Sequence, residues 1–69
     1  MQITATYRDR GLSGRLDTKA MEIAERYGAR FVGSGYCLAS SLRDIEFSVQ
    51  SKRFPRMAQA LTRAGFRVT

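Results

Sequence analysis

The segment that most constrains the fold is DIEFSVQS, residues 44–51, in which polar and apolar side chains alternate strictly from Asp44 to Gln50. A period of two is typical of a β-strand that buries one face. Ile45, Phe47 and Val49 are therefore predicted to point into the core. The segment QITATY near the N-terminus alternates in the same way and is predicted to be a second half-buried strand.

Two segments with helical periodicity are interleaved with these strands. One reaches to residue 27 and is predicted to begin at a capping residue, Asp17 or Thr18, and to end at Gly28. The other covers residues 54–64, with Pro55 in its first turn and Gly65 at its stop. A glycine-weakened strand, ARFVGSGYCLAS, and a short final strand, FRVT, complete the set.

The predicted order β-α-β-β-α-β is the pattern of the ferredoxin-like split β-α-β sandwich. We expect one small α+β domain over residues 1–69, with two helices on one face of a four-stranded antiparallel sheet. The segment 30–39 is expected to form a sheet edge, through which two copies of the chain could pair as a homodimer. A fold of this kind hosts many functions and does not by itself supply one.

The charge of the chain is strongly positive, with a formal net charge of +6. We expect the first and third strands to be parallel neighbours, so that the loops after both strands, and both helix N-termini, lie at the same end of the sheet. That arrangement predicts an arginine-rich site for phosphate, nucleic-acid backbone or an acidic protein surface. Its predicted members are Arg8, Arg10, Arg15, Lys52, Arg53 and Arg56.

Residue types that the chain lacks exclude several kinds of chemistry. With no histidine and one cysteine, a structural zinc site and a histidine-activated serine or cysteine nucleophile are excluded. No metal and no cofactor are predicted. The N-terminal residues lack the apolar core of a signal peptide, and no apolar run is long enough to span a membrane. The single cysteine fits a reducing compartment, so the expected location is the cytoplasm, without a membrane partner.

The favoured functional hypothesis is a stand-alone, non-enzymatic binding protein that acts through its arginine-rich surface on a protein or nucleoprotein partner. In size alone it is similar to phage- or mobile-element-encoded inhibitors of host systems, anti-CRISPR proteins among them. The alternative is a nucleic-acid-binding protein without sequence specificity, directed at the backbone. The predicted outer face of the sheet has no exposed aromatic side chains on its central strands, which disfavours base stacking there.

The loop after the first strand, YRDRGLSGRLD, also allows an enzymatic alternative. Acylphosphatases are similar in topology and place a catalytic arginine in this loop. The resemblance implies that role for Arg8, Arg10 or Arg15. The family's loop of glycine, valine and glutamine is absent, and the chain contains no asparagine to match the family's water-orienting residue.

Four smaller features have structural interpretations. The GSG run at residues 33–35 precedes more strand and predicts a bulge or bend. Cys37 is predicted to be a small core or edge residue. Arg43 and Asp44 are expected to form a local ion pair. The hydroxyls of Tyr7, Tyr27 and Tyr36 are expected to reach water at the rim of the core.

Overall fold

The computed structural model describes residues 1–8 and 14–69. The protein is α+β, and the predicted order of elements is confirmed. Along the chain the elements are β1 (Gln2–Arg8), α1 (Gly14–Arg26), β2 (Arg30–Cys37), β3 (Leu42–Ser48), α2 (Phe54–Arg63) and β4 (Arg67–Val68). The predicted start of α1 was wrong by one turn. The hydroxyl of Thr18 donates to the carbonyl of Gly14 at 2.8 Å, so Asp17 and Thr18 already lie inside the helix.

The four strands form one antiparallel sheet in the order β2-β3-β1-β4. The predicted edge position of the second strand is confirmed, although this strand ends at Cys37. Its pairing with β3 shifts by one residue between Phe31 and Gly33, which leaves Val32 as the extra residue of a bulge. The predicted irregularity next to the GSG run is therefore confirmed.

The expectation that the first and third strands are parallel was wrong. β1 and β3 pair in antiparallel register, with Gln2 opposite Ser48 and Arg8 opposite Leu42. The reason lies in the connections. A short turn joins β2 to β3, so β3 runs against β2, and the parallel strands that α1 joins are β1 and β2, with β3 between them. The loops after β1 and β3 therefore lie at opposite ends of the sheet.

Both helices pack on one face of the sheet, where they enclose a single core. The inward positions predicted for β1 and β3 are confirmed, since Ile3, Ala5, Ile45 and Phe47 are almost fully buried. Each fully buried Ile or Phe side chain contributes roughly 1.5–3 kcal/mol relative to an exposed one. The helices and the last strand supply the remaining buried contacts, from Ala20, Ile23, Ala24, Met57, Leu61 and Phe66.

Glycine ends both helices in the left-handed conformation, as predicted. Gly28 has φ of 68° and Gly65 has φ of 102°. After Gly65, the amide of Phe66 donates to the carbonyl of Leu61 at 3.0 Å, which satisfies one of the last free carbonyls of α2. The turn also directs Phe66 into the core, where its ring meets that of Tyr7 edge to face at 5.7 Å. Within residues 1–8 and 14–69, no helix is long and apolar enough to cross a membrane.

Candidate binding surface

The six cationic residues predicted to form one cluster are divided between two ends of the molecule. Arg8 lies at the end of β1 and Arg15 in the first turn of α1. Lys52, Arg53 and Arg56 lie at the opposite end, around the start of α2. Arg10 belongs to residues 9–13, outside the described part of the chain. Because β1 and β3 are antiparallel, the single cationic end predicted from the sequence is not formed by the five described members.

Arg53 has a structural role at its end of the molecule. Its Nη1 donates to the carbonyl of Tyr27 at 3.2 Å, at the C-terminal end of α1. A cation at this end of a helix is favourable because the terminal carbonyls carry partial negative charge. The same nitrogen would lie 2.8 Å from a Cβ on Gly28. The guanidinium of Arg53 therefore fastens the turn between α1 and β2.

The first turn of α2 is a weaker anion site than the sequence suggested. The amide of Phe54 already donates to the carbonyls of Gln50 and Ser51, and Pro55 has no amide hydrogen. Two of the amides that would face an anion at a helix start are thus absent or engaged. Lys52 and Arg56 remain as exposed cations beside this turn.

A different set of cations comes together along the groove between the two helices. Two adjoining depressions, which share Lys19 and Ala64, form this interhelical groove. Arg15, Lys19 and Arg26 of α1 and Arg63 of α2 line it, and all four are exposed. Among the described residues that line it, Glu22 is the one acid. Its floor is apolar and includes Leu16, Ile23, Ala60 and Ala64.

Of these four groove cations, only Arg15 belongs to the set predicted from the sequence. The signal that could have found two more is the spacing along α1. Lys19 follows Arg15 by four residues and Arg26 follows Lys19 by seven, so all three fall on one stripe of a helix with 3.6 residues per turn. Arg63 joins them because α2 runs alongside α1, which depends on the tertiary fold and not on spacing.

The outer face of the sheet has a different electrostatic character at its centre. A shallow depression there is lined by Thr4, Asp44 and Glu46, beside the glycines of β2. The hydroxyl of Thr6 donates to Asp44 Oδ1 at 2.8 Å. Two carboxylates at the centre of this face disfavour a phosphate backbone lying across it. Three arginines occupy outward sheet positions around the margin, namely Arg8, Arg30 and Arg67.

A hydrogen-bonded network ties α1 to the sheet near the Arg15 end of the groove. Tyr7 Oη donates to Asp17 Oδ1 at 2.6 Å, and Arg43 Nε lies 2.8 Å from both carboxylate oxygens of Asp17. The expected Arg43–Asp44 ion pair and the water-exposed Tyr7 hydroxyl were therefore both wrong. The sequence could not reveal these contacts because Asp17 is 26 residues from Arg43.

The environment of Asp17 shifts its acidity. Burial raises the pKa of Asp17, but the hydrogen bonds from Arg43 and Tyr7, with the Arg43 charge, lower it by more. The net direction is downward, so the carboxylate stays ionised at neutral pH. Its partners Tyr7 and Arg43 belong to the sheet, so these hydrogen bonds hold the start of α1 against the sheet. The network therefore fixes the position of the α1 side of the groove.

Cys37 lies at the exposed end of the edge strand, outside the core. Hydrogen bonds from the side chain and amide of Ser40, then from the amide of Ala39, lower the pKa of its thiol. Among the described residues, no group of three His, Cys, Asp or Glu side chains is placed to hold a metal ion.

No protein-family model matches this chain, and no curated protein matches it.

Proposed function

We propose that this protein is a non-enzymatic binding protein whose interhelical groove docks onto an acidic or phosphate-bearing surface of a protein or nucleoprotein partner. The observation that carries the proposal is the alignment of Arg15, Lys19, Arg26 and Arg63 along one groove, where Glu22 is the one acid among the described lining residues. A small protein that occupies such a surface would inhibit whatever normally binds there.

The dimensions of the groove suit an extended anionic surface better than a single small anion. Arg15 and Arg26 are eleven residues apart on one helix, which corresponds to about 16 Å along its axis. Neighbouring cations on the stripe lie within or close to one Debye length, about 8–10 Å near physiological salt, so their attraction to a partner is cooperative. The apolar floor adds contact area that becomes buried when a partner covers it.

Direct binding to a nucleic-acid backbone is the second candidate. Three of the four groove cations are arginines, whose planar fork can donate two parallel hydrogen bonds to one phosphate. This mode requires no base stacking, in agreement with the outward positions of β1 and β3, which carry Thr4, Thr6, Asp44, Glu46 and Ser48. Binding of this kind is independent of sequence and strongly dependent on salt.

We also propose that the fold is the ferredoxin-like sandwich. Two features support this proposal. The elements follow the order β-α-β-β-α-β. The two β-α-β units are also interleaved in the sheet: β3 lies between β1 and β2 of the first unit, and β1 lies between β3 and β4 of the second. This interleaving places α1 and α2 side by side on one face, which creates the groove.

The experiment compares two triple variants that remove equal charge from opposite sides of the molecule. The groove variant carries Arg15→Ala, Arg26→Ala and Arg63→Ala. The control variant carries Arg8→Ala, Arg30→Ala and Arg67→Ala on the sheet side. All six side chains are exposed, so each substitution should change the free energy of unfolding by no more than about 0.5 kcal/mol.

Binding of the wild type and both variants is measured by fluorescence anisotropy across a salt series, with a labelled DNA duplex, single-stranded RNA and polyglutamate as probes. The proposal predicts that at least one probe binds at low salt and that the groove variant loses most of that affinity while the control keeps it. If phosphates are the ligand, the groove variant should also lower the slope of log K against log salt by up to about three. Equal losses in both variants, or no binding to any probe, would refute the groove as the binding surface.

A further inference from the structure

Four of the six large apolar side chains that are exposed in residues 1–8 and 14–69 lie in β2 or directly after it. Phe31 is 46% exposed, Val32 47% and Tyr36 37%, and Leu38 follows in the turn at 86%.

The edge is also the least charged side of the sheet. Arg30 is the only charged residue within β2, although the chain as a whole carries a net charge of +6. Two copies that approach through this edge bring only one cation each into the contact. The strand itself is eight residues long, and among the described strands it pairs with β3 alone. An edge strand of this kind can accept a further strand through its outward-facing backbone groups.

The bulge gives this edge a self-complementary pattern. Residues directly opposite each other in a sheet share a face, so the pairing with β3 places Phe31, Ser34 and Tyr36 on the helix side. Gly33 and Gly35 lie on the outer side, opposite Glu46 and Asp44. Because Val32 is an extra residue, Phe31 and Tyr36 share a face despite an odd sequence separation.

We infer that the β2 edge is the interface of a homodimer, in which β2 pairs antiparallel with β2 of a second copy about a two-fold axis through Ser34. This register pairs the whole of β2. It places Gly33 opposite Gly35 of the second copy, and Tyr36 opposite the Phe31–Val32 bulge. Each dimer then holds two aromatic pairs on the helix side of a continuous eight-stranded sheet, and the two-fold symmetry leaves no free β2 edge for further association.

The homodimer does not depend on the proposed groove, and the response to salt separates the two. Binding of an anionic partner weakens as salt rises, because counterions compete for the cations. Pairing of two copies that each carry +6 strengthens as salt rises, because salt screens their repulsion. A failure of one proposal is therefore recognisable independently of the other.

The first test measures the oligomeric state by analytical ultracentrifugation at about 0.05 and 0.5 M salt, up to about 1 mM protein. The wild type should form dimers, more strongly at high salt. Ser34→Lys puts two like charges opposite each other at the axis and should weaken dimerisation by at least about tenfold. Ser51→Lys, an exposed substitution away from the edge, adds the same charge and should leave dimerisation within about twofold of the wild type. A wild type that stays monomeric at 1 mM and high salt overturns the inference.

The second test fixes the register by cross-linking in a Cys37→Ser background. Opposed residues in an antiparallel pair have Cα atoms about 4.5–5.5 Å apart, within the range that a disulfide spans. Ser34→Cys should therefore form a disulfide-linked dimer under mild oxidation much faster than Ser51→Cys, and the difference should vanish in denaturant. Equal rates for the two variants under native conditions would overturn the proposed register and interface.

Discussion

The network of Tyr7, Asp17 and Arg43 provides the most quantitative prediction about stability. Asp17→Ala removes the acceptor of two short hydrogen bonds, one from Tyr7 at 2.6 Å and one from Arg43 Nε that is shared between both carboxylate oxygens at 2.8 Å. Tyr7 is only 6% exposed, so its hydroxyl is poorly placed to replace this partner with water. Hydrogen bonds to charged groups contribute roughly 1.5–3 kcal/mol, and the partial exposure of the Asp17–Arg43 pair reduces that value.

Alanine is a better helix former than aspartate by roughly 0.5 kcal/mol, which offsets part of the loss. We therefore expect Asp17→Ala to lower the free energy of unfolding by about 2 kcal/mol. In a domain of this size each kcal/mol corresponds to about 4–8 °C in Tm. Urea denaturation followed by circular dichroism measures the change. The matched control is Asp44→Ala, which removes the same charge and one exposed hydrogen bond from Thr6, and should cost no more than about 1 kcal/mol.

The dependence on pH gives a second measurement of the same contribution. The pKa of Asp17 is lower in the folded protein than its ordinary value. Its contribution is therefore fully present above the unfolded pKa, near 4, and is lost as the pH falls through the folded pKa. The difference between the wild type and Asp17→Ala should shrink in acid. If Asp17→Ala is no less stable than Asp44→Ala at neutral pH, the network does not hold α1 to the sheet.

Two further predictions concern Gly28 and Cys37. Gly28→Ala should destabilise the protein more than Gly65→Ala in urea denaturation, because both glycines have positive φ but only a Cβ on Gly28 would lie 2.8 Å from Arg53 Nη1. Adding Arg53→Ala should remove this extra cost. Equal costs of about 1 kcal/mol for the two glycine substitutions would show that the Arg53 side chain moves aside freely. The pKa of the Cys37 thiol is lowered most by the hydrogen bond from the Ser40 side chain, so this thiol should react with a thiol reagent at lower pH than it does in the unfolded chain. Ser40→Ala should move the pH–rate profile of that reaction to higher pH. An unchanged profile would contradict a role for the Ser40 side chain.

The fold was largely predictable because its signals are local. Strict alternation in DIEFSVQS and QITATY identified two strands, and Gly28 and Gly65 marked both helix ends. The start of α1 was misplaced because the hydroxyl of Thr18 donates to the carbonyl of Gly14, four residues earlier in the helix. A capping side chain would instead accept a hydrogen bond from a backbone amide two or three residues later. The edge position of β2 followed from the order of elements.

The candidate site was less predictable because it depends on strand direction. One error, parallel instead of antiparallel pairing of β1 and β3, displaced Lys52, Arg53 and Arg56 from the end that holds Arg8 and Arg15. The contact between Arg53 and Tyr27 and that between Arg43 and Asp17 each span 26 residues, beyond the reach of any local pattern. The stripe of Arg15, Lys19 and Arg26 was present in the sequence, but only the position of α2 identifies it as the lining of a groove.

Binding of an anionic partner through the interhelical groove, as proposed, is tested most directly by the ratio of dissociation constants between the two triple arginine variants. Both variants have the same net charge, so any non-specific attraction affects them equally. The groove variant is predicted to bind its best anionic probe at least about tenfold more weakly than the sheet-side variant at low salt, since its three missing cations make direct contacts. A ratio near one would mean that the affinity depends on net charge and not on which side of the molecule carries the arginines, and it would contradict binding through the groove.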